Sequence, residues 1–129
     1  MIVDSSALMA ILLGEPEGEA CLQAASRHDC SMSTATWLEV GIVADHRSTD
    51  HGQRLDDLVD ALEIAQVPVD ARQARVARAA YRRFGRGTGS PARLNLGDCF
   101  AYALSVTAGE PLLYVGEDFD HTDVVRAGR

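Results

Sequence analysis

Two acidic side chains stand where the sequence predicts the ends of strands. Asp4 directly follows the short apolar start of the chain, and Asp118 lies three residues after the apolar run LLYV. Ligands of open parallel sheets bind beyond the carboxyl ends of the strands. We therefore expect Asp4 and Asp118 to lie at one edge of a sheet, where they can reach the same ligand.

Two further acids occupy predicted helices, where each could serve as a cap. Asn95 would cap the helix in LNLGDCFAYAL, and Asp98 would be its third residue, where a carboxylate accepts from free amide groups. Thr36 similarly allows a capping box with Glu39. The helix around Glu39 is apolar on nearly every side, however, so its carboxylate is expected in the interior or in a crevice.

A divalent metal site would explain all four carboxylates together, whereas capping must explain each of them separately. Hard cations such as Mg²⁺ and Mn²⁺ take oxygen ligands, and carboxylates that raise one another's pKa become acceptable once a cation lies among them. A bound cation lowers the pKa of water and screens a phosphate, so hydrolysis needs no nucleophilic side chain. The absence of GxSxG, P-loop and CxxC motifs from the sequence agrees with such chemistry.

A hydroxyl group accompanies the first acid. Ser6 lies two residues after Asp4, and its side chain could orient a ligand or a water molecule. Capping of the following helix is an equally good role for Ser6, and Asp4 or Ser5 could serve in the same way. Ser6 is therefore a candidate substrate-binding residue with a structural alternative.

The charge distribution suggests a basic surface on an acidic protein. The net charge is −7, yet seven of the twelve arginines fall within residues 72–93, where there is no acid. Arg86 and Arg93 flank the flexible loop RGTGSPAR that leads into the Asp98 helix. We expect these two arginines to hold phosphates of an anionic partner; an ordinary solvated face is the alternative.

Other titratable residues are expected to have ordinary roles. Glu117, Asp120 and Asp123 are predicted to be solvated loop acids, although Glu117 or Asp120 could take the place of Asp118. The four histidines are scattered, and the three cysteines lack CxxC spacing. The sequence therefore predicts neither a zinc site nor a disulfide framework.

The elements that must position these residues form one α/β domain over residues 1–129, with parallel strands between helices. A content of 47% hydrophobic and 24% charged residues is typical of a globular protein. No export signal and no apolar run of roughly 18 to 20 residues is seen, so we expect a cytoplasmic protein without membrane contact. The predicted strands are IVD, CSMS, IAQVPV and LLYV, and the predicted helices are SSALMAILLG, EGEACLQAAS, TATWLEVGIVADHR, HGQRLDDLVDALE, residues 70–84 and the Asp98 helix.

The helix predicted from Asp70 to Phe84 carries most of the basic residues. Its arginines recur at spacings of three and four, which places them in one stripe. Its predicted apolar side consists of Ala74, Ala77, Tyr81 and Phe84.

Taken together, these residues resemble the PIN-domain ribonucleases, and specifically the VapC toxins of bacterial toxin–antitoxin pairs. The resemblance covers nearly the whole chain through IVDSSAL, STATWLEV and LNLGDCFAYALSVTAGEPLLYVGEDFDHTDV, of which the last is the most specific. Val115 departs from it, because relatives with this ending often have a lysine there. By this resemblance the family's four acids correspond in order to Asp4, Glu39, Asp98 and Asp118, and its small hydroxyl position to Ser6.

The resemblance implies a PIN-like fold in which a parallel sheet is sandwiched between helices. It implies endonucleolytic cleavage of RNA that depends on Mg²⁺ or Mn²⁺. It also implies a homodimer and a cognate VapB-type antitoxin, whose C-terminal segment can push a basic side chain into the acidic site.

We therefore predict a single-domain endoribonuclease, the toxin of a type II toxin–antitoxin system, whose four acids hold one or two divalent cations. The alternative is a catalytically inactive PIN-like interaction module, in which the acids bind a basic peptide. Two other classes fit less well. An aspartyl phosphatase would want DxD after the first strand, where Ser5 and Ser6 stand, and a response-regulator receiver needs a lysine, which the chain lacks.

Overall fold

A four-stranded parallel sheet lies at the centre of the molecule. In the computed structural model, which describes residues 1–128, the strands are β1 (Ile2–Val3), β2 (Ser31–Ser33), β3 (Ala65–Val67) and β4 (Leu112–Leu113). Their order across the sheet is β3-β2-β1-β4, and every pairing is parallel. The predicted α/β class is confirmed, with strands shorter than predicted. As expected for a strand followed by proline, β3 lies at the edge.

The helices begin and end close to their predicted bounds. They are α1 (Ser5–Leu13), α2 (Gly18–Ser26), α3 (Thr34–Arg47), α4 (Thr49–Ala61), α5 (Ala71–Phe84) and α6 (Leu96–Ala108), followed by the 3₁₀ helix η1 (Asp118–His121). Local signals account for this agreement. Asp70 caps α5 through a 2.8 Å bond from the Gln73 amide, and Gly14 ends α1 in the left-handed conformation at φ 65°.

Helices cover both faces of the sheet. Successive strand residues point to opposite faces, so Val3 and Leu113 enter one hydrophobic cluster and Ile2 and Leu112 enter the other. The first cluster is completed by α1 to α4 and the second by α5 and α6. This is the predicted arrangement of a parallel sheet sandwiched between helices.

The buried face of α5 differs from the predicted one. Ala74 and Tyr81 are exposed, which makes that part of the prediction wrong. The side that packs toward α6 instead contains Gln73, Ala77 and Ala80, with Val76 and Phe84 partly buried. Two physical reasons explain the difference: exposing an alanine costs little, and the Nε2 group of buried Gln73 donates to the Pro68 carbonyl at 3.1 Å.

The predicted loop at residues 86–93 is held at both ends. The amide of Arg86 donates to the carbonyl of Leu94 at 3.0 Å, and the amide of Leu94 donates to the carbonyl of Phe84 at 2.9 Å. Arg93 adopts a positive φ of 50°, which is uncommon for a residue other than glycine. These backbone hydrogen bonds therefore join the two ends of the loop just before α6.

No helix within residues 1–128 is both long enough and apolar enough to cross a membrane. All three cysteines are buried.

Candidate active site

Asp4 is both a helix cap and a buried acid. Asp4 directly follows β1 and is only 3% exposed. As the N-cap of α1, its Oδ2 accepts a hydrogen bond from the amide of Ser6 at 3.0 Å. Burial raises the pKa of Asp4, as does the charge of Glu39, while the hydrogen bonds from Ser6 oppose the shift. Asp4 therefore caps α1 while its carboxylate is buried at the carboxyl end of β1.

Ser6 connects the ends of two neighbouring strands. Its hydroxyl donates to Asp4 Oδ2 at 2.6 Å and accepts from the amide of Val115 at 3.0 Å, just beyond β4. Ser6 therefore fixes the orientation of the Asp4 carboxylate. At position 115 the structure uses the main chain for this link, while the Val115 side chain packs partly buried against the hydrophobic cluster.

Glu39 lies in the second turn of α3 and is not part of a capping box. The N-cap of α3 is Ser33, whose hydroxyl accepts from the amide of Ala35 at 3.2 Å, so the predicted pairing of Glu39 with Thr36 is wrong. The Glu39 carboxylate accepts a hydrogen bond from the Ser5 side chain. Burial raises its pKa, and the charge of Asp98 raises it further.

Gly97 was not singled out in the sequence analysis, yet the Glu39 carboxylate lies directly against it. A Cβ atom built at Gly97 would lie 1.7 Å from Glu39 Oε2 and 2.6 Å from Oε1. Any side chain here would have to displace the carboxylate. The only signal in the sequence was a glycine inside a predicted helix, immediately before Asp98. Glycine destabilises a helix, so its presence there suggests that another group must approach the backbone closely.

Asp98 forms the predicted capping box and also lies near Asp4, Glu39 and Asp118; these four acids are called the acidic cluster below. The amide of Asp98 donates to Asn95 Oδ1, and the amide of Asn95 donates to Asp98 Oδ2, both at 2.9 Å. The pKa of Asp98 is raised to about 6, first by burial and then by the charges of Asp4 and Asp118, while Arg86 opposes the shift. Asp98 therefore lies within electrostatic reach of acids from both ends of the chain.

Two of the acids near Asp118 are already engaged by other residues. Asp118 is exposed on η1. Asp120 accepts from the Tyr114 hydroxyl at 2.6 Å and from Arg126 at 2.8 Å, and Asp123 accepts from the Tyr102 hydroxyl at 2.6 Å. The predicted loop acids Asp120 and Asp123 are thus structural groups that hold the C-terminal segment, and Asp120 is a poor substitute for Asp118.

The two candidate phosphate-binding arginines lie at the loop before α6. Arg86 Nε donates to the Arg93 carbonyl at 3.4 Å, and the charge of Arg86 lowers the pKa of Asp98. Arg83, by contrast, pairs with Asp123 at 3.6 Å and lies 4.5 Å from the centre of the Phe84 ring. The basic segment therefore contains arginines with different roles, and Arg86 is near the acidic cluster.

The donor chemistry of the four acids fits a hard divalent cation. Their oxygens are the ligands that Mg²⁺ and Mn²⁺ prefer, and their charges repel one another. Because Gly97 has no side chain, it leaves space beside α6 for the Glu39 carboxylate; this space is called the glycine cradle below. In residues 1–128, no three acidic, histidine or cysteine side chains already converge tightly enough to enclose an ion, so a cation would have to draw the carboxylates together.

An apolar surface borders the acidic cluster. The residues of α3 that were expected to bury Glu39 are themselves largely exposed, for example Leu38 at 56% and Ile42 at 60%. Together with the start of α6 they form a groove with Glu39 and Gly97 on its wall. This surface, called the apolar face below, consists of Leu38, Ile42, Val43, Leu96 and Phe100.

The sequence is similar to that of ribonucleases over nearly its whole length. The family model described as the PIN domain matches residues 1–125. A VapC ribonuclease of Mycobacterium bovis and Ribonuclease VapC28 of Mycobacterium tuberculosis are each 50% identical over 129 residues, covering 98% of this chain and 97% of the relative. Ribonuclease VapC of Mycolicibacterium smegmatis is 49% identical over 127 residues, covering 96% of this chain and 97% of the relative.

Two solved structures share the fold at lower sequence identity. Mycobacterium tuberculosis VapC20, described as a toxin that cleaves the Sarcin-Ricin loop, superposes with a TM-score of 0.74 at 14% identity and covers 99% of this chain and 98% of its own. A toxin–antitoxin complex from Klebsiella pneumoniae gives a TM-score of 0.69 at 21% identity, covering 92% and 88%. These likenesses concern the fold alone.

Proposed function

Because this chain belongs to the PIN domain family, we propose that it is an endoribonuclease and the toxin of a toxin–antitoxin pair. It acts as a single domain that hydrolyses RNA phosphodiester bonds with Mg²⁺ or Mn²⁺ held by Asp4, Glu39, Asp98 and Asp118. The observation that carries the proposal is the proximity of these acids beside the carboxyl edge of a parallel sheet: Glu39 raises the pKa of Asp4, Asp98 raises that of Glu39, and Asp4 and Asp118 raise that of Asp98. Relatives that are half identical and named as ribonucleases support it.

The chain's own side chains prepare the site before any cation arrives. Ser6 holds the Asp4 carboxylate, Ser5 donates to Glu39, and the capping box fixes Asp98 at the start of α6. When bound, a cation supplies Lewis-acid chemistry that lowers the pKa of water and neutralises charge on the phosphate. The protein therefore provides a set of oriented oxygens whose repulsion a cation relieves.

Basic residues beside this site would hold the substrate. Arg86 is close enough to Asp98 to influence its pKa, and Arg93 is exposed at the other end of the same loop. Guanidinium groups bind phosphate oxygens in bidentate fashion. We assign these two arginines to the RNA backbone next to the cleaved bond, and the exposed arginines of α5 to phosphates further along the strand.

Two protein partners complete the proposal. A second copy of the chain would cover the apolar face, because monomeric proteins rarely expose contiguous apolar patches of this kind. A VapB-type antitoxin would place a basic side chain among the four acids, where it would offset the same repulsion as a cation. The toxin–antitoxin complex among the structural neighbours supports the second partner.

The function is tested with Asp98→Asn and purified RNA. We expect the natural chain to cleave RNA only with Mg²⁺ or Mn²⁺, and Asp98→Asn to lose this cleavage while keeping the fold by circular dichroism. In EDTA the variant is expected to unfold at an equal or higher temperature, because one repelling charge is removed. If Asp98 only capped α6, the variant would keep its activity and lose at most about 1 kcal/mol of stability.

A matched control removes the same charge from an exposed acid elsewhere. Asp56 is exposed on α4, and Asp56→Asn should leave cleavage unchanged. Retained cleavage in Asp98→Asn contradicts the assigned site. A natural chain that binds RNA or a basic peptide but cuts no RNA with either cation contradicts the enzyme and favours the inactive interaction module.

A further inference from the structure

Asp118 is the acid with the weakest support from its own element. It begins a four-residue 3₁₀ helix, it is exposed, and the N-cap Glu117 makes no side-chain capping bond. Short 3₁₀ helices have poorer hydrogen-bond geometry than α-helices and contribute little rigidity. The position of Asp118 must therefore be set by the residues that anchor η1 from outside.

Tyr114 anchors both residues that follow Asp118. Its ring is 2% exposed and lies 5.1 Å from the ring of buried Phe119, centre to centre. Its hydroxyl donates to Asp120 Oδ1 at 2.6 Å. Arg126 donates to the same oxygen at 2.8 Å, and its guanidinium lies 4.6 Å from the centre of the Tyr114 ring. The two positions after Asp118 are thus attached to one buried side chain.

The same tyrosine lies next to the link that orients the first acid. The residue after Tyr114 is Val115, whose amide donates to Ser6, and Ser6 in turn donates to Asp4. The main chain at 114–115 therefore connects Asp4 on one side with Asp118 on the other. A change in the Tyr114 anchor would alter the position of Asp118 relative to Asp4 without touching either carboxylate.

We propose that Tyr114 and Asp120 are positioning residues that hold Asp118 in place for the cation. This inference rests on the proposed function, because it assumes that Asp118 is one of the cation's ligands. Neither residue contacts the cation or the RNA. Their hydrogen bond fixes η1, and through it the affinity of the site for the cation.

The test measures binding of Mn²⁺ alone to the full chain by titration calorimetry. Tyr114→Phe and Asp120→Ala each remove the hydrogen bond, and we expect each to weaken Mn²⁺ binding about tenfold, in the range seen when an outer partner of a metal ligand is lost. The double variant should be no weaker than Asp120→Ala alone, because Asp120→Ala already removes the contact that Tyr114→Phe removes. Tyr81→Phe is the matched control, since Tyr81 is 41% exposed on α5, and it should bind Mn²⁺ as the natural chain does.

A second comparison separates positioning from general destabilisation. Asp118→Asn should itself weaken Mn²⁺ binding, and adding Tyr114→Phe to it should cause no further loss. A further loss in that background would mean that Tyr114 acts on the whole fold, and it would overturn the inference. Unchanged Mn²⁺ affinity in Tyr114→Phe and Asp120→Ala would overturn it as well, while leaving the proposed function intact. Unchanged affinity in Asp118→Asn would instead contradict the metal assignment in the proposed function, and the inference with it.

Discussion

At the scale of single residues, a capping role and a place in an acidic site are compatible. Asp98 completes a capping box and Asp4 caps α1, yet burial raises the pKa of both carboxylates and neighbouring acids add to the shift. A cap uses one carboxylate oxygen: Asp98 Oδ2 accepts from Asn95, and Asp4 Oδ2 accepts from Ser6. Capping therefore orients each carboxylate while its second oxygen can serve a cation.

Gly97→Ala tests whether the glycine cradle matters for the site. The new Cβ would overlap the Glu39 carboxylate, so we expect Glu39 to be displaced and metal-dependent RNA cleavage to fall at least tenfold. Gly41→Ala on α3 is the matched control, because its Cβ would meet no atom within 4 Å. That control should keep full cleavage and gain about 0.5 to 1 kcal/mol in the free energy of unfolding, measured with urea. Equal activity of both variants would contradict the cradle.

At the scale of secondary-structure elements, the helix termini place the candidate residues. The α3 helix starts at the end of β2 because Ser33 caps it, and this brings Glu39 to the carboxyl edge of the sheet. The α6 helix starts beside the same edge, directly after the loop at residues 86–93. The basic segment, residues 72–93, therefore ends shortly before Asp98 of the acidic cluster. This arrangement suits a substrate that carries many phosphates.

The loop arginines make a prediction about salt dependence. In an Asp98→Asn background, which prevents cleavage, Arg86→Ala with Arg93→Ala should weaken RNA binding. The two lost phosphate contacts should also reduce the slope of log K against log salt by about 1.4, since each contact to a single strand contributes about 0.7. Fluorescence anisotropy at several salt concentrations measures both quantities.

The control for this prediction removes two arginines at a different place. Arg27→Ala with Arg47→Ala has the same change in net charge, but Arg27 stands before β2 and Arg47 ends α3. This pair should leave the slope nearly unchanged. An equal reduction of the slope in both pairs would show that only total charge matters.

At the scale of the whole molecule, the surface is divided by chemical character. The apolar face, formed by α3 and the start of α6, borders the acidic cluster, and the basic helix α5 packs against α6. The molecule as a whole is acidic, so the basic stripe is a local feature on a surface that would otherwise repel RNA. A dimer formed through the apolar face would bring two acidic clusters near a shared surface.

The dimer is tested by light scattering during size-exclusion chromatography. We expect the natural chain to have the mass of two chains, and Leu38→Glu with Ile42→Glu to have the mass of one, because charged side chains in an apolar interface lose their hydration. Val106→Glu is the matched control, since Val106 is 44% exposed on α6 outside the apolar face, and it should stay dimeric. If the natural chain has the mass of one chain at micromolar concentration, the result contradicts the proposed dimer.

The sequence by itself determined the features that depend on neighbours within one helical turn. The caps at Asp70 and Asn95 follow from side chains that accept from amides three residues away, and Gly14 ends α1 because glycine readily adopts the left-handed conformation. Alternating strands and helices were enough for the α/β class. The four acids were found because carboxylates beside apolar segments need an explanation.

Only the tertiary structure decided which distant groups meet. The contact of Glu39 with Gly97, the bond between Ser6 and Val115 across 109 residues, and the buried side of α5 all depend on how whole elements pack. Such pairings cannot be predicted from residue types, because a small or amphipathic side chain is acceptable in several environments. The acids were visible as single residues, whereas their proximity depends on parallel strands that end at the same edge of one sheet.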